Sequence, residues 1–243
     1  MAERLIEATG VSKHYGGVRA VDGVDFHVNN GELLGLVGAN GAGKSTLFNL
    51  IAGSTQPTTG KIVAFGEDVT KARDFEMCRR GVARTFQVVR PLQGMTAIEN
   101  AMVGAFSQTS STAAAHEIAA DACRTVGLGD KMQVVAQDLT LSGQKRMEVA
   151  RALATGPKVL LLDEMMAGLN PEELDGFLDT LRDINRSGTT LIVVEHVMKA
   201  VTELAQRIVV MNQGKKIAEG TADEVFNDQA VIQSYLGETY AAS

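Results

Sequence analysis

One octapeptide constrains this chain more than anything else in it: Gly38-Ala39-Asn40-Gly41-Ala42-Gly43-Lys44-Ser45. It follows Leu33-Leu34-Gly35-Leu36-Val37, a continuous apolar run that reads as a buried strand, and precedes a helix carrying Leu47, Phe48, Leu50 and Ile51 that stops at Gly53. The spacing is G-x-x-x-x-G-K-[ST] without exception. Glycines let backbone N–H groups turn inward around an anion, and the helix points its positive end at the same place. A strand–loop–helix of this kind holds a nucleotide polyphosphate. Lys44 reaches the β- and γ-phosphates, Ser45 offers a hydroxyl to Mg²⁺, and Gly38, Asn40, Gly41, Ala42, Gly43 and Thr46 complete the cradle.

A second buried strand, Val159-Leu160-Leu161-Leu162, ends in Asp163-Glu164. With a phosphate loop in the same chain, Asp163 reads as the Mg²⁺ carboxylate, acting through water. Glu164 reads as the base that polarises the attacking water. Standing alone, the two acids would read equally well as ordinary solvated residues at a strand end.

The rest of the chain sets these parts in an α/β frame. Residues 5–30 alternate Val and Phe with polar residues and are broken by Gly16-Gly17, Gly23 and Asn30-Gly31, which predicts short antiparallel strands with tight turns. Asp74 to Leu153 is expected to be mainly helical, with Gln108 to Ala115 as a loop or frayed helix start. Asn170, Pro171 and Glu173 spell a capped helix carrying Leu174, Phe177, Leu178, Leu181 and Ile184. Thr190–Val194 is a third buried strand. Helix 197–204, strand 207–211, a turn at Asn212-Gln213-Gly214 and a helix over 222–236 finish the chain. Strands alternating with helices argue for a mostly parallel sheet. The expected organisation is one domain over 1–243, its core about 1–86 and 156–243, with an inserted helical subdomain at about 87–155.

Composition narrows the partners. The formal charge is −6 and no Lys/Arg block runs along the chain, so there is no general attraction for nucleic-acid phosphates. No apolar run approaches the roughly 20 residues that span a bilayer, and Met1 to Gly16 has no apolar h-region, so neither a membrane span nor a signal peptide is expected. Work at a membrane would go through a partner. Cys78 and Cys123 lie far apart without C-x-x-C spacing. They read as two buried thiols in a reducing compartment, or otherwise as one disulfide.

With these residues in place the chain resembles the ABC ATPase family over essentially its whole length. Tyr15 matches the aromatic that stacks on adenine, and Gln87, in Arg84-Thr85-Phe86-Gln87, matches the glutamine that contacts Mg²⁺ and relays to the membrane subunit. Ala167-Gly168-Leu169-Asn170 match the D-loop, and His196 matches the switch histidine near the γ-phosphate. Each has an ordinary alternative, Asn170 as a helix cap above all; their common order around the phosphate loop carries the likeness. The resemblance implies a P-loop NTPase fold: a RecA-like parallel sheet, an N-terminal antiparallel subdomain and an inserted helical subdomain. It also implies ATP hydrolysis with Mg²⁺, head-to-tail pairing with a second ATPase subunit, identical or different, and coupling to membrane permease subunits. Lys44, Gln87, Glu164 and His196 are then the catalytic set, and Ser45, Gln87 and Asp163 the metal set.

The family's signature, usually L-S-G-G-Q, is altered here. A literal search stops at Leu141-Ser142-Gly143-Gln144. A register without gaps back from Asp163 gives Leu139-Thr140-Leu141-Ser142-Gly143, and it is preferred because Val149-Ala150-Arg151-Ala152-Leu153 then matches the family's I-A-R-A-L. Thr140, Ser142 and Gly143 would then face the partner's ATP. Met165-Met166 also replaces the usual Pro-Thr. Arg84–Gln87, Gly94–Asn100, Met166–Pro171 and Tyr235-Leu236-Gly237 resemble ATPases of branched-chain amino-acid importers and their relatives for small polar solutes. That implies a peripheral place on the cytoplasmic face of the membrane and an indirect link to a solute-binding protein. Other readings are a lipid-exporting ABC ATPase, an ABC-type ATPase acting on ribosomes or DNA, and a regulatory nucleotide binder. One motif set without a large insertion, and intact Lys44, Asp163, Glu164 and His196, disfavour the last two.

Overall fold

A computed structural model describes residues 3–87, 89–196 and 198–233. In chain order the elements are β1 (Arg4–Tyr15), β2 (Val18–Asn29), β3 (Leu33–Val37), α1 (Lys44–Ile51), β4 (Thr59–Ala64), β5 (Glu67–Asp68), α2 (Asp74–Arg80), β6 (Val82–Arg84), α3 (Ala97–Ala105) and α4 (Thr112–Thr125). After two short 3₁₀ turns come α5 (Leu141–Leu153), β7 (Val159–Asp163), α6 (Pro171–Arg186), β8 (Thr190–Val194), α7 (Met198–Leu204), β9 (Arg207–Asn212), β10 (Lys215–Gly220), α8 (Ala222–Phe226) and α9 (Gln229–Val231). The chain divides into two compact units, Met1–Met77 with Thr190–Ser243, and Cys78–Thr189.

The first unit holds an antiparallel sheet in the order β2-β1-β4-β5. It also holds a parallel set in which β3 lies between β8 and β9, with β10 antiparallel on the outer side of β9. Every residue of β3 and β8 is buried, which is why both read as unbroken apolar runs rather than alternating ones. Val37, Val201, Ile208, Val210, Val225 and Val231 form a buried cluster that fastens α7, α8 and α9 to the strands. Each such side chain contributes about 1.5–3 kcal/mol on burial.

In the second unit β6 and β7 pair in parallel and helices α3, α4 and α5 pack on one another. Leu174, Phe177, Leu178, Leu181 and Ile184 form the buried stripe of α6. Asn170 caps that helix with Pro171 at its first position and Glu173 closing the box, as the sequence predicts.

Four local expectations need correction. The N-terminal strands are long, twelve residues each, because Gly23 sits at a register shift inside β2 instead of at a turn. A glycine at positive φ lets a strand bulge and continue. Residues 82–84 form strand β6 within a stretch expected to be mainly helical, too short to show a period. At 108–115 the helix start is firm: Ser111 caps α4 through the Ala114 N–H. The expected C-terminal helix is broken, because the Asp228 carboxylate accepts from Ala230 and Val231 N–H and starts a new helix, α9. The end of that expected helix, from residue 234, lies outside the described residues, as does Val197. Cys78 and Cys123 are free thiols.

Candidate functional site

In the first unit β3 delivers the chain to Gly38 and α1 takes it up at Lys44. Gly38 has φ +153°, and a Cβ there would lie 2.3 Å from the Met211 carbonyl oxygen. Gly43 has φ +101°, and its Cβ would lie 2.3 Å from the Ala20 carbonyl oxygen. Backbone bonds tie the loop to its neighbours: Gly214 N–H to Ala42 O at 2.9 Å, and Asp22 N–H to Gly214 O at 2.9 Å. The loop shape is therefore set by close backbone approach on both sides, which only glycine allows.

The start of α1 has no side-chain cap and no acidic residue in its first turn. Its amide donors have no capping side chain and its positive end faces no carboxylate of its own, the arrangement that suits an anion. Lys44 is 5 % exposed and its ammonium donates to Gly38 O at 2.7 Å and Ala39 O at 3.1 Å, so the cation lies along the loop. Asn40, Gly41 and Ser45 are exposed, Ala42 is buried and Thr46 is half-buried. This cradle fits a polyphosphate with its cation. Tyr15 ends β1, half exposed, with the Lys13 ammonium 5.2 Å from its ring centre. His196 is exposed just beyond β8, after the buried Glu195.

In the second unit the fully buried β7 ends at Asp163, itself 5 % exposed. Two residues of the β6 end attend it. The Thr85 hydroxyl accepts the Asp163 N–H at 3.2 Å, and an Arg84 guanidinium nitrogen lies 3.8 Å from its carboxylate. Glu164 stands in the left-handed region at φ +49°. That conformation costs a non-glycine residue about 1–2 kcal/mol, and such strain gathers at functional sites. The Gln87 amide donates to the Glu164 carboxylate at 2.7 Å, so these two sequence-predicted residues meet across 77 positions of chain. The sequence alone assigns Arg84 and Thr85 no role. It held no signal for them, because no local pattern marks their strand or its pairing with β7.

Also in this unit, Thr140 is the N-cap of α5: its hydroxyl accepts the Gly143 N–H at 3.2 Å. Ser142 and Gly143 lie in the first turn, and Ser142 is buried. Asn170 is engaged as a cap, accepting from Glu173 N–H at 2.9 Å. The buried Lys145 of α5, which sequence reasoning did not single out, donates to the Ala167 carbonyl.

A buried strand feeding a glycine loop whose helix presents amides and a lysine, with a second buried strand ending in two carboxylates, defines a P-loop nucleotide-binding protein. Residues 21–167 match the family described as ABC transporter, and residues 215–241 match the branched-chain amino acid ATP-binding cassette transporter. The high-affinity branched-chain amino acid transport ATP-binding protein BraF of Pseudomonas aeruginosa is 36 % identical, the match covering 98 % of this chain and 100 % of BraF. LivG of Escherichia coli, which bears the same description, is 38 % identical with the same coverage. The ADP conformation of MJ1267, an ATP-binding cassette of an ABC transporter, superposes with TM-score 0.87 at 29 % identity over 97 % of this chain and 99 % of that one. This chain belongs to the ABC transporter family. The fold class and the ATPase class expected from the resemblance both stand.

Proposed function

We propose that this chain hydrolyses ATP to ADP and phosphate as one of two paired nucleotide-binding subunits. It thereby drives permease subunits that import a branched-chain amino acid or a related small polar solute. The observation that carries the reading is the Gly38–Ser45 cradle, shaped by backbone contact at Gly38 and Gly43, in a chain alike over 98 % of its length to ATP-binding proteins named for branched-chain amino-acid transport. The match of residues 215–241 to a branched-chain amino-acid cassette family supports the solute class.

The side chains take these parts. Tyr15 stacks on the adenine. Gly38, Asn40, Gly41, Ala42, Gly43 and Thr46 hold the phosphates with backbone and hydroxyl donors, and Lys44 neutralises the β- and γ-phosphates. Ser45, Gln87 and Asp163 would hold Mg²⁺, which when bound offsets phosphate charge. Asp163 suits that part, since Thr85 and Arg84 fix its backbone and carboxylate. Glu164 polarises the attacking water, and its bond to Gln87 gives the 87–96 segment a direct hold on the base. His196 contacts the γ-phosphate. Thr140, Ser142 and Gly143 of one subunit face the ATP of the other, Thr140 by its hydroxyl and Ser142 by its backbone N–H. Asn170 lies in the D-loop beside that partner site. The core is taken as about 1–86 and 156–243, and the helical subdomain as about 87–155.

No helix among the described residues is long and apolar enough to cross a membrane. In this reading the chain is attached at the cytoplasmic face through the permease. A solute-binding protein acts on the far side and touches this chain only indirectly. The test is the Lys44→Ala subunit assembled with its permease in vesicles. It is expected to keep the fold and lose ATP-driven leucine uptake along with ATP hydrolysis. Unchanged nucleotide affinity and turnover in this variant would refute the reading of the phosphate loop. ATP hydrolysis by the wild-type complex without uptake of leucine or any other small polar solute would refute import.

A further inference from the structure

Residues 90–95 form no strand or helix, yet side chains of α3 and α5, buried or half-buried, hold their backbone at two points. At the first, the Glu148 carboxylate accepts the Arg90 N–H at 2.9 Å, and the Arg151 guanidinium donates to the Arg90 carbonyl at 3.2 Å. Both groups of that peptide residue are thus taken by one pair of side chains three residues apart on α5, which are also ion-paired to each other. At the second point Asn100 of α3 accepts the Leu92 N–H at 2.9 Å and donates to the Thr96 carbonyl at 2.9 Å, with longer contacts to the Leu92 and Met95 carbonyls. Glu148 is 2 % exposed and Asn100 is fully buried.

Stability alone does not call for this arrangement. Packed apolar residues hold a helix at least as well as a buried ion pair, whose desolvation offsets most of its attraction. What polar side chains add is register: each bond is made to one named backbone group. The segment is consequently tied to α3 and α5 through directional bonds, and α5 is the helix whose first turn carries Thr140, Ser142 and Gly143.

We propose that Glu148, Arg151 and Asn100 are positioning residues that make the 90–95 segment move with α3 and α5. A displacement of that segment by the permease is then delivered to the first turn of α5, where the partner's ATP is met. Closure on ATP travels the same route in reverse. This rests on the proposed function for the permease contact and for the role of Thr140; the bonds themselves do not depend on it.

Two measurements test the linkage, on Glu148→Met, which keeps length but offers no acceptor to the Arg90 N–H, and Arg151→Lys, which keeps charge but loses the fork. In the first, amide hydrogen exchange of the whole isolated subunit is followed with and without ATP·Mg²⁺ in a Glu164→Gln background. ATP is expected to change exchange in 141–144 and in 90–95 together; in either variant the change in 90–95 disappears while that in 141–144 remains. An unaltered response of 90–95 overturns the linkage. In the second, ATPase rates are compared for the subunit alone and with its permease. The variants are expected to keep the isolated rate and to lose permease stimulation on the order of tenfold, within the range for couplings carried by packed networks. Equal losses in both rates mean a merely structural role and overturn the proposal. If one variant melts early, the other is read in its place. A wild-type subunit that its permease does not stimulate counts against the proposed function, and the exchange measurement then decides the linkage.

Discussion

Replacing Thr140 by Ala removes one hydroxyl with two tasks, and the two are separable. In the structure the hydroxyl caps α5 by accepting the Gly143 N–H at 3.2 Å. Loss of such a cap costs about 1 kcal/mol. In a chain of this size that lowers the melting temperature by about 2–4 °C. In the closed dimer the same hydroxyl is proposed to meet the partner-bound γ-phosphate. A hydrogen bond to a charged group contributes about 1.5–3 kcal/mol, which is roughly ten- to a hundredfold in turnover. Thr140→Ala is therefore expected to melt slightly lower and turn over far more slowly, and Thr140→Ser to keep both properties. Ser142 lies within the first turn of α5 and is proposed to offer only its backbone N–H. Ser142→Gly is expected to keep its turnover and to lose well under about 1 kcal/mol of helix stability. The assays are ATPase rates with the native partner and thermal melts of the three variants. Loss of turnover in Ser142→Gly with a silent Thr140→Ala would refute the reasoning and select Leu141-Ser142-Gly143-Gln144 as the signature.

Further outcomes follow from the same geometry. Glu164→Gln is expected to bind ATP, turn over slowly and accumulate as an ATP-bound dimer on size-exclusion chromatography; unchanged turnover would reduce Glu164 to a strand-end residue. Changing Val89 and Leu92 together to Asp is expected to lower solute uptake more than the ATPase rate of the isolated subunit, and full uptake would contradict a permease contact at 87–96. Arg207 makes bonds to Glu32 at 2.6 and 2.8 Å and to the His27 carbonyl at 2.9 Å, and it also pairs with Glu219. Arg207→Met strands the buried Glu32 and is expected to cost about 3–5 kcal/mol in denaturant unfolding; a loss below about 1 kcal/mol, the scale of a surface pair, would show the network to be dispensable. Burial raises the Glu219 carboxyl, but Lys216 and Arg207 outweigh it and hold the group below its usual value of 4.5. Its stabilisation is full above that value and is lost as pH falls through the lower folded one. Glu219→Gln is expected to flatten that part of the acid limb, and an unchanged limb would contradict the assignment.

Local spacing carried much of this structure. The phosphate loop, its strand and its helix were readable because eight consecutive residues specify one backbone path, and close contacts at Gly38 and Gly43 show why those two must be glycine. Asn170, Pro171 and Glu173 announced their helix because every bond of a capping box lies within four residues. Fully buried strands announced themselves as apolar runs. The order of these motifs along the chain was enough to state the family.

Tertiary structure alone decided what depends on residues far apart in the chain. No local pattern marks Val82–Arg84 as a strand; three residues acquire that form by pairing with β7. Gly23 reads as a turn until β1 is present to carry the strand past it. The bond from Gln87 to Glu164, the left-handed backbone of Glu164, and the grip of Glu148 on Arg90 across 58 positions are invisible in composition or period. A sequence displays bonds that close within a turn of helix or a tight loop, since residue type and spacing suffice for them. A bond between distant residues forms only when the rest of the fold holds both partners in place, and these are the bonds that position the carboxylates and tie residues 90–95 to α5.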